Sequence, residues 1–195
     1  KTLPSESSSL MLYALLNMHP GFLDYLISST LVEPVLCAVL KGLYASHTAA
    51  CVDHLYVLVI NVLMMVQDKL LRQTLSTLKV RATWYTEHIL TSWFSLADLT
   101  MLCTLRCTLY ALFKLKDQYL LSNCFAVLLD LAPFLKNMDC YVSERIIRVV
   151  YQLAKRCNRS GGGKDEGGEY EYSASAESSP LLHNSNDRLD SAVEQ

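Results

Sequence analysis

The run His54-Leu55-Tyr56-Val57-Leu58-Val59-Ile60-Asn61-Val62-Leu63-Met64-Met65-Val66-Gln67 decides the fold class of this chain. It is 14 residues long, lies between Asp53 and Asp68, and lacks the alternation of apolar and polar residues that a half-buried strand shows. A helix that is apolar on every face belongs in a protein core or a membrane, and a membrane span needs about 20 apolar residues. The run therefore predicts a helix buried within a helical protein.

Helices are predicted along most of the chain, because apolar residues recur at intervals of three and four and sustained alternation is absent. Val35, Leu36, Val39, Leu40, Leu43 and Tyr44 form one such stripe, and Ile146, Val150, Leu153 and Cys157 form another. The predicted helices cover residues 8–18, 20–29, 31–45, 52–67, 69–79, 87–94, 95–115, 117–136 and 140–157. Strands are not expected.

Local signals mark the ends of several of these helices. Thr30-Leu31-Val32-Glu33 and Ser95-Leu96-Ala97-Asp98 have the spacing of capping boxes, in which the first side chain bonds to the backbone of the first helical turn. Pro34 would lie in the first turn of its helix, where its missing N–H costs little. Pro133 is expected to kink or shorten the helix over 117–136.

The predicted architecture is all-α: an irregular α-solenoid of stacked, armadillo- or HEAT-like helices with a disordered acidic C-terminal tail. Several helices are apolar on more than one face, as helices between two neighbouring layers are. Connections are short, so consecutive helices are expected to pack antiparallel. No clean self-similarity exists at the period of about 40–47 residues that armadillo and HEAT repeats show, which predicts an irregular array.

Composition divides the chain into a helical body and a polar tail. Residues 1–7 are predicted to be a disordered start, 8–157 the helical scaffold region, and 158–195 a disordered linker rich in Gly, Ser and acidic residues, with a further helix beginning near 189–195. The tail has three basic and eight acidic residues, a net charge of −5, so the chain's total of −2 leaves the body at +3. That charge does not predict the clustered basic face of a nucleic-acid-binding protein.

The seven cysteines favour a reduced compartment. Their number is odd, and most lie in apolar helical runs, where a free thiol behaves as a small hydrophobe. A cytosolic location fits this usage better than a disulfide framework does. The chain begins with Lys1 and has no signal-peptide pattern, so it is interpreted as an internal piece of a longer protein.

No combination of residues predicts catalysis, a cofactor or a metal. Cys103 and Cys107 share a helical face, but a zinc site needs two more ligands, and His54 and His88 are isolated in sequence. Gly161-Gly162-Gly163-Lys164 lacks the first glycine, the following Ser or Thr and the preceding strand of a phosphate-binding loop. Sequence leaves open a Cys–His or Ser–His pair formed by the fold, but nothing resembles a nucleophile elbow. We predict that the chain is not an enzyme.

Two short patterns in the tail are weak signals. Asn158-Arg159-Ser160 is a glycosylation sequon, which would be inert in the cytosol. The segment from Glu177 to Leu182 has the form of an acidic dileucine sorting signal, a pattern that arises often by chance.

Arg106 is the charged residue whose position carries most information. It lies in an apolar stripe with Leu99, Leu102, Leu109 and Phe113. Because a buried guanidinium must be paired, we predict an ion pair between helices, with Glu87, Asp117 or Asp130 as the partner.

Several segments resemble the dymeclin (Dyggve-Melchior-Clausen syndrome protein) family. Trp84-Tyr85-Thr86-Glu87 is similar to the family's Trp-Tyr-Ser/Thr-Glu-Arg, and Asp117-Gln118-Tyr119-Leu120-Leu121-Ser122-Asn123-Cys124-Phe125-Ala126 to its Asp-Lys-Tyr-Leu-His-Thr-Asn-Cys-Leu-Ala. Arg106 falls at the family's Ile-Arg-Thr, and Tyr141 with Arg145-Ile146-Ile147 fits a Tyr-Ala-Ala-Gln-Arg-Ile-Ile segment. Departures are His88, Lys116 and Leu129-Asp130-Leu131.

The resemblance implies a non-catalytic, armadillo-like scaffold that is cytoplasmic and peripheral to Golgi membranes. Its role would be Golgi organisation and vesicle traffic through protein partners, with membrane contact through parts outside this sequence, including the family's myristoylated N-terminal glycine. On physical grounds we interpret Trp84, Tyr85, Tyr119 and Asn123 as packing joints, with the Asn123 amide bonding to backbone carbonyls of a neighbouring helix. The alternatives are an unrelated helical-repeat adaptor and a membrane-embedded bundle with spans at 8–23, 52–67 and 95–115.

Overall fold

The computed structural model describes residues 5–46, 52–87, 93–135 and 138–160, and this part of the chain is mostly helical. Its α-helices are α1 Glu6–Met18, α2 Gly21–Ser28, α3 Val32–Ala45, α4 Val52–Gln67, α5 Lys69–Thr77, α6 Leu96–Tyr110, α7 Gln118–Leu131 and α8 Cys140–Ser160. A π-helical turn, Ala111–Leu115, extends α6, and a 3₁₀ turn, Ala132–Phe134, extends α7. Two short strands, β1 Lys79–Val80 and β2 Phe94–Ser95, pair antiparallel.

The apolar run that begins at His54 forms α4, as predicted, and is buried on nearly all sides. Only Asp53 and Gln67, near its two ends, are exposed. The helix packs against α1, α3 and α7, which together cover it. Its apolar faces are therefore satisfied by protein contacts.

Helices three places apart in the chain pack against one another: α1 against α4, α4 against α7, and α3 against α6. We refer to α1–α3, α4–α6 and α7–α8 as the first, second and third helical groups. The chain bends sharply beside the short second helix of the first two groups. The bend between α2 and α3 is 109°, and the bend between α4 and α5 is 96°. Antiparallel packing is therefore wrong for these pairs: Asp68 alone joins α4 to α5, and an antiparallel reversal takes a loop of about two to five residues.

Helix α6 is the most buried element in the described part of the chain. Thr100, Thr104 and Thr108 are buried, and each hydroxyl donates to the carbonyl four residues earlier, at 2.7–2.8 Å. Leu96–Leu115 is 20 residues long and apolar enough to cross a membrane, and two bent helix pairs would also qualify if each were one span. However, 83% of the most apolar 18-residue segment within Leu96–Leu115 is buried inside the protein.

One predicted capping box forms and the other does not. The Ser95 hydroxyl accepts the Asp98 backbone N–H at 3.0 Å, which confirms the start of α6. Thr30 has a φ of 58° and makes no cap, and α3 begins without any side-chain cap. The left-handed backbone at Thr30 turns the chain between α2 and α3. Pro133 shortens α7 as predicted, since the α-helix ends at Leu131.

The helix predicted over 87–94 is wrong where the structure describes it, because Phe94 belongs to β2 and Glu87 is not helical. Residues 88–92 lie outside the described residues. The expectation of no strands is also wrong. A two-residue strand is too short to show the alternation on which a sequence-based assignment depends, and this pair is fixed by contacts with Leu78 and α6.

The helical region extends beyond both of its predicted ends. Helix α1 begins at Glu6, and α8 continues to Ser160. The buried side of α8 is formed by Val142, Val149 and the half-buried Ile146 and Leu153, whereas Val150 is exposed, so the predicted stripe through Val150 is wrong. The linker beyond residue 160, including 161–164, 177–182 and the helix expected near 189–195, lies outside the described residues.

Candidate functional site

The Trp84–Glu87 segment lies at the centre of a polar and aromatic cluster. We call the set Tyr44, Trp84, Tyr85, Thr86, Glu87, Arg106, Tyr141 and Arg145 the Glu87 cluster. One Glu87 oxygen pairs with Nη1 of Arg106, and the other accepts from Nη2 of Arg145 at 2.9 Å. All three side chains are mostly buried, with 12–20% of their surface exposed. A single carboxylate therefore links α6 to α8.

Tyr44 of α3 joins the same cluster through its ring and its hydroxyl. The Arg106 guanidinium lies 4.3 Å from the centre of the Tyr44 ring, a cation–π distance. The ring also meets Trp84 edge-on at 5.7 Å and Tyr85 at 5.2 Å. The Tyr44 hydroxyl lies 2.8 Å from the Thr86 hydroxyl and accepts the Thr86 backbone N–H at 3.3 Å. Burial raises the pKa of Tyr44, but the Thr86 hydrogen bonds and Arg106 outweigh it and lower the pKa.

Tyr85 is the buried member of the cluster. Its hydroxyl donates to the Glu87 carboxylate at 3.2 Å and lies 3.5 Å from that of Tyr141 in α8. Burial, followed by the Tyr141 contact, raises the pKa of Tyr85 well above its usual range. A phenol that keeps its proton and a carboxylate held by two guanidiniums are poorly placed for proton transfer. The geometry therefore favours a structural role, in which these side chains hold helices together, over a catalytic one.

The prediction for Arg106 is confirmed, with Glu87 as its partner. Sequence reasoning missed Arg145 and Tyr44. Arg145 was noted only in a resembling segment, and Tyr44 was assigned to an apolar stripe. The available signal was the position of Arg145, a charged residue that shares a helical face with the apolar residues Val142 and Val149.

The Asp117 segment forms a smaller set of contacts between helices. Asp117 caps α7 by accepting the Leu120 N–H at 2.9 Å, and the Tyr56 hydroxyl of α4 donates to the same carboxylate. The hydrogen bond from Tyr56, then that from Leu120, lowers the pKa of Asp117, whereas the Asp117 contact raises the pKa of Tyr56 to about 12. This links α4 to the start of α7.

Two expectations for that segment are wrong. Asn123 makes no bond through its buried Nδ2, because it sits beside the apolar face formed by Leu120 and Cys124, where no carbonyl is in reach. Tyr119 is 61% exposed and touches only the edge of the joint, with its ring 6.1 Å from that of Tyr56.

Further polar contacts join other helix pairs. Arg72 of α5 pairs with Asp130 of α7 at 3.3 Å and lies 4.8 Å from the Phe134 ring. The buried Asn61 of α4 donates to the Ser9 carbonyl of α1 at 2.9 Å, and the Ser9 hydroxyl bonds to His54 at 2.9 Å. These contacts hold α1, α4, α5 and α7 in a fixed relation.

The thiols and histidines do not gather into a metal site within the described residues. Cys103 and Cys107 are buried free thiols, which agrees with their interpretation as core residues. The nearby Cys124 thiol, followed by burial, raises the pKa of Cys107. His54 bonds to Ser9 as described, while His88 lies outside the described residues.

Comparison with known proteins decides the family. The profile of the family described as "Dymeclin: Dyggve-Melchior-Clausen syndrome protein" matches residues 1–186. The chain belongs to the dymeclin family. It is 28% identical to Dymeclin of Mus musculus over 156 residues, which cover 80% of this chain and 23% of that protein. It is 26% identical to Dymeclin of Drosophila melanogaster over 155 residues, 79% of this chain and 22% of that protein.

A dymeclin from a third organism gives the same picture. The chain is 29% identical to Dymeclin of Dictyostelium discoideum over 157 residues, 80% of this chain and 17% of that protein. The chain thus spans about a fifth of the length of the curated relatives it matches. No solved structure matches it.

The dymeclin-like segments meet in space. Trp84–Glu87, Arg106, Tyr141 and Arg145 are separated by up to 61 positions in the chain and converge in the Glu87 cluster. Together with Tyr44, these segments thus tie α3, α6 and α8 together.

Proposed function

We propose that this member of the dymeclin family is a non-catalytic helical scaffold that acts in Golgi organisation and intracellular vesicle trafficking through protein contacts. Family membership supports the cellular role. The Glu87 cluster carries the scaffold assignment, because its charged and aromatic groups contact one another across three helices. Side chains arranged in this way fix the relative positions of helices.

The packing supports an armadillo-like solenoid. In such arrays each unit contacts its neighbours, so equivalent helices of successive units stack. The packing of α1 on α4, α4 on α7 and α3 on α6 has this form, with α2 and α5 as short connecting helices. The segment between α5 and α6, which holds β1 and β2, lengthens the second unit and accounts for the lack of a regular period.

We propose a cytoplasmic location with peripheral attachment to Golgi membranes through parts outside these 195 residues. The burial of α6 supports this, since a helix covered by α3, α5, α7 and α8 has little apolar surface left for lipid. The competing candidate, a membrane-embedded bundle, is favoured by the length and composition of Leu96–Leu115.

Two experiments test the proposal. Disruption of the gene in its own organism should disturb Golgi organisation and delay secretory cargo, and reintroduced wild-type protein should restore both. Unchanged Golgi structure and secretion would contradict the trafficking role. Sodium carbonate extraction of membranes should release the protein, whereas retention in the pellet would support the embedded bundle.

A further inference from the structure

The connection between α5 and α6 carries an exposed tryptophan. Trp93 is 66% exposed, although the next residue, Phe94, is buried in the core. Exposed apolar residues are ordinary one at a time, but tryptophan is enriched where proteins contact other surfaces. The groups that surround Trp93 therefore indicate what it contacts.

The exposure of Trp93 does not come from an open end of the helical array. Trp93 lies in a connection of the second helical group, against which both other groups already pack through α1 on α4, α3 on α6 and α4 on α7. In a stacked array each unit contacts only its neighbours, so the remaining surface of an internal unit is free for other partners.

The two-stranded ribbon of β1 and β2 places two cations beside this indole. Val80 pairs with Phe94, and both side chains are buried on the core side of the ribbon. Continuing that register by one pair places Arg81 opposite Trp93, and residues opposite each other in an antiparallel pair share a face. Lys79, two positions from Arg81, shares it too. We call the exposed residues Lys79, Arg81 and Trp93 the ribbon face.

The charge of the ribbon face is positive and uncompensated. Residues 69–86 contain four basic residues and no acidic one. One of the four, Arg72, is paired with a carboxylate of α7. Lys79 and Arg81 belong to none of the ion pairs formed within the described residues. The next acidic residue, Glu87, is mostly buried between two guanidiniums. The two cations are therefore available to an anionic partner.

We propose that the ribbon face binds the surface of an anionic lipid membrane. A lysine or arginine near such a surface is attracted to the anionic headgroups, and each strengthens binding about fivefold. An indole prefers the boundary between headgroups and acyl chains, because its ring is apolar and its N–H needs a polar partner. This contact is separate from the proposed attachment through parts outside these 195 residues.

The geometry favours a lipid surface over an acidic peptide as the occupant. The side chains that dominate binding between proteins lie in well-packed pockets, whereas Trp93 is two-thirds exposed and is not seated in a groove. A lipid surface accommodates a projecting aromatic side chain without a preformed pocket. The chain as a whole has a net charge of −2, so its attraction to an anionic membrane must come from a local basic surface.

The test measures co-sedimentation of the full chain with vesicles of phosphatidylcholine, with and without phosphatidylserine. Lys79→Gln combined with Arg81→Gln removes both charges of the ribbon face, and Trp93→Thr removes its indole but keeps a good strand former. The matched control, Lys114→Gln combined with Lys155→Gln, removes two exposed charges elsewhere. Both double variants lose two positive charges, so each changes the net charge from −2 to −4. All five positions are exposed, so every variant should fold, which circular dichroism checks.

The wild type and the control variant should bind vesicles that contain phosphatidylserine and should bind pure phosphatidylcholine much more weakly. Loss of both ribbon charges should lower the affinity about 25-fold, fivefold for each charge. Raised salt should weaken binding of the wild type, because it screens the attraction to headgroups. Equal binding to both kinds of vesicle, or equal losses in the two double variants, would overturn the proposal. Absence of binding to phosphatidylserine vesicles would also overturn it and would favour a protein as the occupant.

Tryptophan fluorescence locates the contact. Brominated lipids quench an indole that enters the interface, so Trp93 should be quenched, whereas Trp84, half-buried against the Tyr44 ring, should not. Trp93→Thr should abolish the quenching and weaken binding at least about fivefold, because the interfacial indole is lost. Quenching that persists in this variant would contradict the proposed surface. These outcomes are independent of the Golgi role, since the vesicles contain no other protein.

Discussion

At the scale of single residues, Glu87 has the greatest influence on how this chain holds together. Its carboxylate meets two guanidiniums and a phenol that come from three separate parts of the sequence. Loss of one partner of a buried charge network costs more than the network itself stabilises, because the remaining charges stay desolvated. Arg106 and Arg145 would both lose their counter-charge together.

Glu87→Gln should lower the free energy of unfolding by about 2–4 kcal/mol, since it leaves two mostly buried guanidiniums uncompensated. The matched control is Glu144→Gln, which removes an exposed ion pair with Arg148 within α8. That change should alter the free energy of unfolding by less than about 0.5 kcal/mol. Urea denaturation followed by circular dichroism measures both, and equal effects would refute the buried role of Glu87.

The thiols should react at very different rates. Burial, followed by the nearby Glu33 charge, raises the pKa of Cys37 to about 11, whereas Cys140 is exposed. Only the thiolate reacts, so near neutral pH a pKa raised from 9.0 to about 11 leaves about a hundredfold less of it at Cys37. Mass spectrometry after timed alkylation should find Cys140 modified well before Cys37, Cys103 or Cys107. Equal rates at Cys140 and Cys103 would contradict the described packing.

At the scale of elements, the starts of α3 and α6 show that the same local sequence pattern can form a helix cap at one site and not at another. Ser95 and Thr30 stand in similar sequence patterns, yet only Ser95 caps its helix. Thr30 instead adopts a left-handed conformation that turns α2 into α3. A capping pattern predicts a helix start only where the preceding chain can approach it in an extended conformation.

Ser95→Ala should destabilise the protein by about 1 kcal/mol, because the Asp98 N–H loses its acceptor. Thr30→Ala should stay within about 0.5 kcal/mol of wild type, since no cap is removed. Thermal unfolding of both variants under identical conditions compares the two sites. A larger loss for Thr30→Ala than for Ser95→Ala would reverse the assignment.

At the scale of the whole molecule, stability should be highest where helices are covered on both sides. Helix α4 lies between α1 and α7, and α6 lies among α3, α5, α7 and α8. Helices α1 and α8 each leave one face open. Opening of a terminal unit costs less than opening of an internal one in a stacked array.

Native-state hydrogen exchange should therefore show the slowest amides in α4 and α6 and faster exchange in α1 and α2. Exchange free energies of α4 and α6 should approach the global free energy of unfolding, because these helices open only when the core does. Peptide-resolved exchange with mass spectrometry measures this order. Slower exchange in α1 than in α4 would be inconsistent with the packing of the three helical groups.

Sequence by itself determined that this chain is mostly helical, where most of its helices lie, and that Arg106 must meet a carboxylate. It did so because helical periodicity, apolar content and the cost of an unpaired buried charge act locally or at a single position. The dymeclin resemblance, confirmed by the family match, was equally readable from short segments.

Only the tertiary structure decided which carboxylate Arg106 meets, that Arg145 and Tyr44 join it, and that Phe94 pairs with Val80 instead of lying in a helix. It also decided that Thr30 turns the chain, that Asn123 bonds to no neighbouring helix and that Val150 is exposed. Each of these depends on contacts between residues distant in the chain. Local patterns leave such contacts undetermined, because several partners satisfy the same hydrophobic and electrostatic requirements until the packing of helices selects one.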